Sequence, residues 1–155
     1  EFGAKVNNIQ IDGISFIEHH CFEAFNEGVR LKQCIEYQES LTGIKVKRVG
    51  ADSIYANNAN RTMCTEKGIT TYFTRKGPRP KEEAECLKTA RKIIGNLRAT
   101  VMEGSFGNQK QHYSLGRIKA RNMFSERLLL FFGIHTANTA ILAAREMARS
   151  VKKAA

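Results

Sequence analysis

What this chain has little of narrows it first. Proline occurs only twice, at Pro78 and Pro80, and 42% of the residues are hydrophobic, so a globular chain is expected. The four cysteines, Cys21, Cys34, Cys64 and Cys86, form no CxxC pair and match no Cys/His spacing of a zinc module. They read as free, buried thiols of a cytosolic protein. His19, His20 and Cys21 are consecutive, and successive residues on a strand point in different directions, which argues against a shared metal. No signal peptide is expected from these residues, and no internal repeat or low-complexity tract is read in them. The most apolar run, residues 128–134, is too short to span a bilayer, and His135 and Asn138 interrupt its continuation, so a buried helix is expected there. Aspartate is scarce as well. Asp12 and Asp52 are the only two, and Asp12 has a turn to explain it because Asp-Gly favours tight hairpins. Asp52 is the one left needing a role.

What is present is positive charge, unevenly placed. The chain of 155 residues, the size of one domain, carries a net +10. Residues 1–44 hold 3 Lys/Arg against 7 Asp/Glu, whereas residues 45–155 hold 22 against 8. Such asymmetry favours a polyanionic partner. The basic residues are spread over several predicted elements, which suits a groove tracking phosphates better than one membrane-binding helix, so nucleic acid is favoured and a membrane is not.

Hydrophobic periodicity orders the elements. Residues 2–10 and 14–18 read as a hairpin joined at Asp12-Gly13. Residues 23–41 read as a helix with Phe25, Val29, Ile35 and Leu41 inward and Gly43 just past its end. Residues 44–50 alternate apolar and basic side chains as a strand does, and they deliver the chain to Asp52. In open α/β sheets ligands bind at that end of the strands. The ordinary alternative, an N-cap for a helix over 57–67, puts Asp52 several residues early. Gly68 closes that helix and a strand over 69–73 follows. Arg75, Lys76, Arg79 and Lys81 then crowd a Gly/Pro-containing loop, either a solvated connection or a phosphate contact. Residues 81–98 form a basic helix with Leu87, Ala90, Ile94 and Leu97 apolar. Arg117, Lys119 and Arg121 alternate within 115–121, and a long helix runs from about 125 to 152.

The stretch over 101–113 is the most specific. On a helix Glu103, Gly107 and Lys110 make one stripe with a glycine gap where a ligand can approach, and Met102, Phe106 and Tyr113 flank it. That flank would hold Glu103 at the rim of a core, as a metal site requires of its carboxylate. The competing reading is two solvated charges on an amphipathic face.

Taken together, hairpin, helix, strand ending in Asp, helix, strand and Glu-bearing helix follow the latter part of a ribonuclease H-like order. The chain resembles the DDE transposases of bacterial insertion sequences. The resemblance is carried by Glu1-Phe2-Gly3-Ala4-Lys5, by Gly50-Ala51-Asp52-Ser53-Ile54-Tyr55 with Asn60-Arg61, and by Glu103-Gly104-Ser105-Phe106-Gly107-Asn108-Gln109-Lys110-Gln111-His112-Tyr113. Gly133-Ile134-His135-Thr136-Ala137-Asn138 resembles the helix that follows. It implies an α/β, ribonuclease H-like mixed sheet flanked by helices and lacking its first strand, with residues 1–155 as the C-terminal part of the catalytic domain and a DNA-facing region from about 45 onward. It implies that Asp52 and Glu103 are catalytic and hold Mg²⁺ or Mn²⁺, that Lys110 is catalytic, and that a first aspartate lies upstream of this chain. DNA contacts are expected from Tyr55, Arg61, Arg75, Lys76, Arg79, Arg98, Arg117, Lys119 and Arg121, although Tyr55 has packing as an equal alternative. Some of these families carry Tyr and Arg seven and four residues before the glutamate. Here those positions are Asn96 and Ala99, with Arg98 one residue off. The implied activity is metal-dependent hydrolysis and strand transfer at transposon ends in a bacterial cytoplasm, by a homodimer when full-length. The alternative is a non-catalytic DNA-binding or assembly remnant.

Overall fold

A two-residue turn starts the fold. β1 (Lys5–Ile11) and β2 (Ile14–Cys21) pair antiparallel with Ile11 opposite Ile14. Between them Asp12 and Gly13 have φ of 49° and 75°, the two positive values that a primed hairpin turn demands. This is a computed structural model, describing residues 4–73, 76–77 and 85–154. The hairpin register slips once: Asn7 faces His19 while Asn8 faces Ile17, which leaves Glu18 as an extra residue. Such a bulge re-aims a side chain, and that of Glu18 is only 4% exposed.

The helix expected from residue 23 begins later. Asn26 accepts a hydrogen bond from Gly28 N–H and caps a separate 3₁₀ turn, Glu27–Val29, so the chain enters α1 (Leu31–Thr42) in a new phase. Leu31, Cys34 and Ile35 are therefore the buried stripe, whereas Val29 and Leu41 are exposed. Gly43, at φ 68°, closes the helix as expected.

The strands expected over 44–50 and 69–73 shrink to β3 (Arg48–Val49) and β4 (Thr70–Thr71), paired in parallel. Glu39 explains part of the loss. Its carboxylate accepts from Val46 N–H and from Lys45 Nζ, each at 3.0 Å, tying that segment to the end of α1 instead of to a strand partner. α2 (Asn58–Glu66) lies between β3 and β4, capped by the Asn57 side chain and followed by Gly68 at φ 65°. Leu31, Ile35, Val46, Tyr55, Cys64 and Ile69 form the core between these elements, with Phe73 beside them.

α3 (Glu85–Leu97), a π-helical turn (Arg98–Met102) and α4 (Glu103–His112) follow one another without a break. In α3 Ile94 is buried, but Leu97 is exposed, contrary to the expected apolar face. The side chain of Leu87 lies outside the described residues. The segment with Arg117, Lys119 and Arg121 is a chain of bends and turns in spite of its alternation. It packs where Gly133 of α5 (Met123–Ala154) leaves room: a Cβ there would sit 2.6 Å from Leu115 Cδ2.

α5 corrects two expectations. It is buried on one side only, through Leu130, Ile134 and Ala137, while Leu129, Phe131 and Phe132 are exposed. It also continues unbroken through His135 and Asn138, and by length and composition it is apolar enough to cross a membrane. Asn138 is a clamp, not an interruption: its amide accepts from Ser15 N–H at 2.9 Å and donates to Ser15 C=O at 2.7 Å, satisfying both backbone groups of a fully buried residue. Among the described residues the strands form two separate two-stranded sheets, so the protein is α/β but the single mixed sheet is not formed. Cys34 and Cys64 are buried free thiols as expected, while Cys21 is half-buried and the Cys86 side chain is outside the described residues.

Candidate active site

Residues of both sheets line a cavity of about 600 Å³. Asn8 of β1, Ile35 of α1, Asp52, Glu103, Lys110 and Ile134 all face it. The three residues expected to be catalytic thus come to one place from two parts of the sequence, Asp52 from one and Glu103 with Lys110 from the other.

Asp52 stands just past β3 and is the N-cap of a 3₁₀ turn, Ser53–Tyr55, where its Oδ1 accepts from Ser53 N–H at 2.6 Å. The cap it supplies is therefore its own short turn, and Asn57 caps α2. Asn60 fastens this corner from below: its buried amide donates to Tyr55 C=O at 2.8 Å and to Gly28 C=O at 2.7 Å. Glu103 opens α4, the helix expected over 101–113. Gly104 and Gly107 have nothing within 4 Å of where a Cβ would be, so the approach expected at the glycine gap is open.

Arg98 joins the two carboxylates. Its Nη2 is 3.4 Å from Asp52 Oδ1 and 3.6 Å from Glu103 Oε1, which sets those oxygens within about 7 Å of each other. The π turn makes this possible. Five residues apart on an α-helix, Arg98 and Glu103 would point about 140° apart, but the Glu103 N–H bonds to Arg98 C=O across the wider turn and stacks them. One residue is absorbed in that turn, so Arg98 and not Ala99 sits beside the glutamate. Two glycines let the helix come this close. A Cβ on Gly50 would lie 2.9 Å from Ile94 Cγ2, and one on Gly95 would lie 2.6 Å from the Tyr72 ring.

The remaining expected residues divide. Tyr55 lines the same cavity, is buried in the core, and donates its hydroxyl to Asn7 Oδ1 at 2.7 Å. Its burial and this hydrogen bond supply the packing role that was the equal alternative to DNA contact. Arg61 is half-buried, donates through Nε to Ala56 C=O at 3.0 Å and lies over the Phe73 ring. Lys76 is exposed and reaches Asn58 Oδ1. Arg117, Lys119 and Arg121 are exposed. Arg75 and Arg79 lie outside the described residues. Asp12 does not line the cavity and is paired with Arg145 of α5 at 3.1 Å.

Sequence reading missed the supports. Gln109 is buried, donating to Ser15 Oγ at 2.8 Å and so fixing α4 to β2. Arg30 pairs with Glu18, which also accepts from Asn7 Nδ2 at 2.8 Å. Two buried polar atoms beside the cavity, Asn8 Oδ1 and Arg98 Nε, have no hydrogen-bond partner among the described residues. No group of three or more His, Cys, Asp or Glu side chains gathers to hold a metal among the described residues. The two carboxylates present are nonetheless the hard oxygen donors that Mg²⁺ takes, and the place between them already draws a cation.

An α/β protein with paired carboxylates and cations at one cavity belongs with proteins that handle phosphate esters only if its sequence says so. Residues 49–128 match the family described as Transposase DDE domain, and the chain belongs to that family. The match takes in Asp52, Arg98, Glu103 and Lys110 and leaves out the hairpin. No curated protein and no solved structure matches the chain.

Proposed function

We propose that this chain carries two of the three metal-binding carboxylates of a ribonuclease H-like transposase active site, Asp52 and Glu103. The observation that supports this reading is the bridge through Arg98, which brings together two acidic residues far apart in sequence at the rim of one cavity. The third carboxylate is assigned to a residue outside 1–155, since Asp12 is committed to Arg145. A divalent ion held there supplies activation of the attacking oxygen and stabilisation of the leaving oxygen, in hydrolysis and then in strand transfer. Asp52 offers an oxygen held at a turn, and Glu103 one at the start of a helix. Lys110, seven residues on and exposed at the same cavity, contacts a phosphate oxygen. Arg98, Lys76, Arg117, Lys119 and Arg121 lie along the DNA backbone. The protein acts in the cytoplasm on transposon ends and target DNA, as a homodimer when intact.

The test is an end-joining assay run beside a DNA titration, in a protein that includes the third carboxylate. Glu103→Gln keeps size and helix propensity but loses the ligand charge, so hydrolysis and joining are lost while affinity stays within about twofold. Lys110→Ala weakens binding and leaves reduced but measurable joining. A Glu103→Gln protein that still joins ends removes Glu103 from the site and leaves the non-catalytic DNA-binding reading.

A further inference from the structure

Resting on that reading of Asp52 and Glu103, we propose that Arg98 is an internal counter-cation, holding the two carboxylates in the position a divalent ion takes and moving to a DNA phosphate when the ion enters. Two carboxylates this close repel each other when both are ionised, and a nearby positive charge relieves it. Arg98 provides that charge with a single nitrogen, Nη2, at 3.4 and 3.6 Å. Charge-assisted bonds to carboxylates are normally about 2.7–2.9 Å long, so this hold is loose on both sides. The structural ion pairs of the same protein are closer, with Arg30 Nε to Glu18 at 2.9 Å and Arg145 to Asp12 at 3.1 Å.

Arg98 also stands in a posture with something to gain by leaving. Its Nε is buried without an acceptor, and a buried unpaired donor is costly. Guanidinium does not deprotonate in proteins, so the charge goes only if the side chain moves. Its side chain is 29% exposed, in the lining of a cavity that Lys110 also lines. A phosphate arriving with the metal would offer the planar fork a bidentate partner that the two separated carboxylates do not. The π turn is what sets Arg98 in this place, and it gives the otherwise unexplained wide turn a purpose.

The experiment measures Mn²⁺ binding to the chain by paramagnetic resonance of the free ion, together with thermal unfolding with and without Mn²⁺. Arg98→Gln and Arg98→Met, the second keeping the apolar packing of the stem, are compared with Lys110→Gln, which removes a charge from the same cavity without vacating the place between the carboxylates. Expected are roughly tenfold tighter Mn²⁺ binding in either Arg98 variant, a change under about threefold in Lys110→Gln, and a lower unfolding temperature in the Arg98 variants that saturating Mn²⁺ restores. Equal gains from Arg98→Gln and Lys110→Gln would reduce the effect to net charge and overturn displacement. Unchanged affinity in the Arg98 variants overturns it too, while loss of binding in Asp52→Asn keeps the metal reading alive. If Asp52→Asn binds Mn²⁺ as the parent does, it is the metal reading that fails.

Discussion

The Tyr55 hydroxyl donates to Asn7 Oδ1 at 2.7 Å, and this bond ties the corner that carries Asp52 to the first strand of the hairpin. Asn7 passes the connection on, through Nδ2, to Glu18 and thence to Arg30. Tyr55→Phe should therefore destabilise the fold by about 1–2 kcal/mol, because it leaves a buried amide oxygen without its donor. DNA affinity should stay within about twofold. Urea unfolding and a binding titration on one preparation check this, and a protein of unchanged stability with weakened binding would return Tyr55 to the DNA surface.

Glu18 makes part of the stability depend on acid. Burial acts to raise its carboxyl, but the hydrogen bonds from Arg30 and Asn7 and the charge of Arg30 outweigh burial and hold it below the ordinary value of 4.5. A carboxyl lower in the folded than in the unfolded state contributes stability that is complete above the unfolded value and disappears as pH falls through the folded one. The gap in unfolding free energy between the parent and Glu18→Gln should be widest near pH 7 and narrow steadily below about pH 4.5. Parallel curves from pH 7 to 3 would mean that the Glu18 to Arg30 pair adds nothing.

What was legible in the sequence is what local chemistry decides. Asp12-Gly13 needs positive φ at two successive residues, Gly43 and Gly68 close helices in the left-handed region, and Glu103 and Lys110 recur at helical spacing, so the turn, the helix ends and the site helix could all be placed. What was not legible depends on partners remote in sequence. The strand over 44–50 lost its length to Glu39, and the start of α1 was moved by the Asn26 cap. Asn138 looked like a polar break in an apolar run until Ser15 of the hairpin was beside it. Arg98 looked one residue out of place, because a π turn leaves no periodicity to read.

The close approach of α3 to the Asp52 corner should be sensitive to side-chain volume at Gly50 and Gly95. Gly95→Ala puts a methyl against the Tyr72 ring, and Gly50→Val puts a larger group against Ile94, each at a separation that forces movement. Overpacking of this kind costs about 1–3 kcal/mol. Hydrogen exchange should quicken over residues 85–103 while the β1/β2 amides remain protected. Trimming the ring with Tyr72→Ala in the Gly95→Ala background should restore part of the protection. No recovery would show that the two residues do not meet.

The last prediction concerns the loop over 113–122. Arg117, Lys119 and Arg121 are exposed, and the loop is anchored at one end where Leu115 packs on Gly133. A short, anchored loop carrying three cations is suited to lie along a phosphate backbone, where binding releases condensed counterions. Each phosphate neutralised adds about 0.9 to the slope of log affinity against log salt. Replacing all three by alanine should thus flatten that slope by roughly 2–3 and weaken binding to unrelated duplexes by the same factor, because phosphate contacts carry no sequence information. Stability should change by less than about 0.5 kcal/mol, as for other exposed positions. The contrast with Lys110→Ala is informative: that change removes one contact near the carboxylates and should flatten the slope by only about one. If the triple variant keeps the parent's salt slope, the loop does not face DNA, and the charge that attracts it lies on α3 and α5 instead.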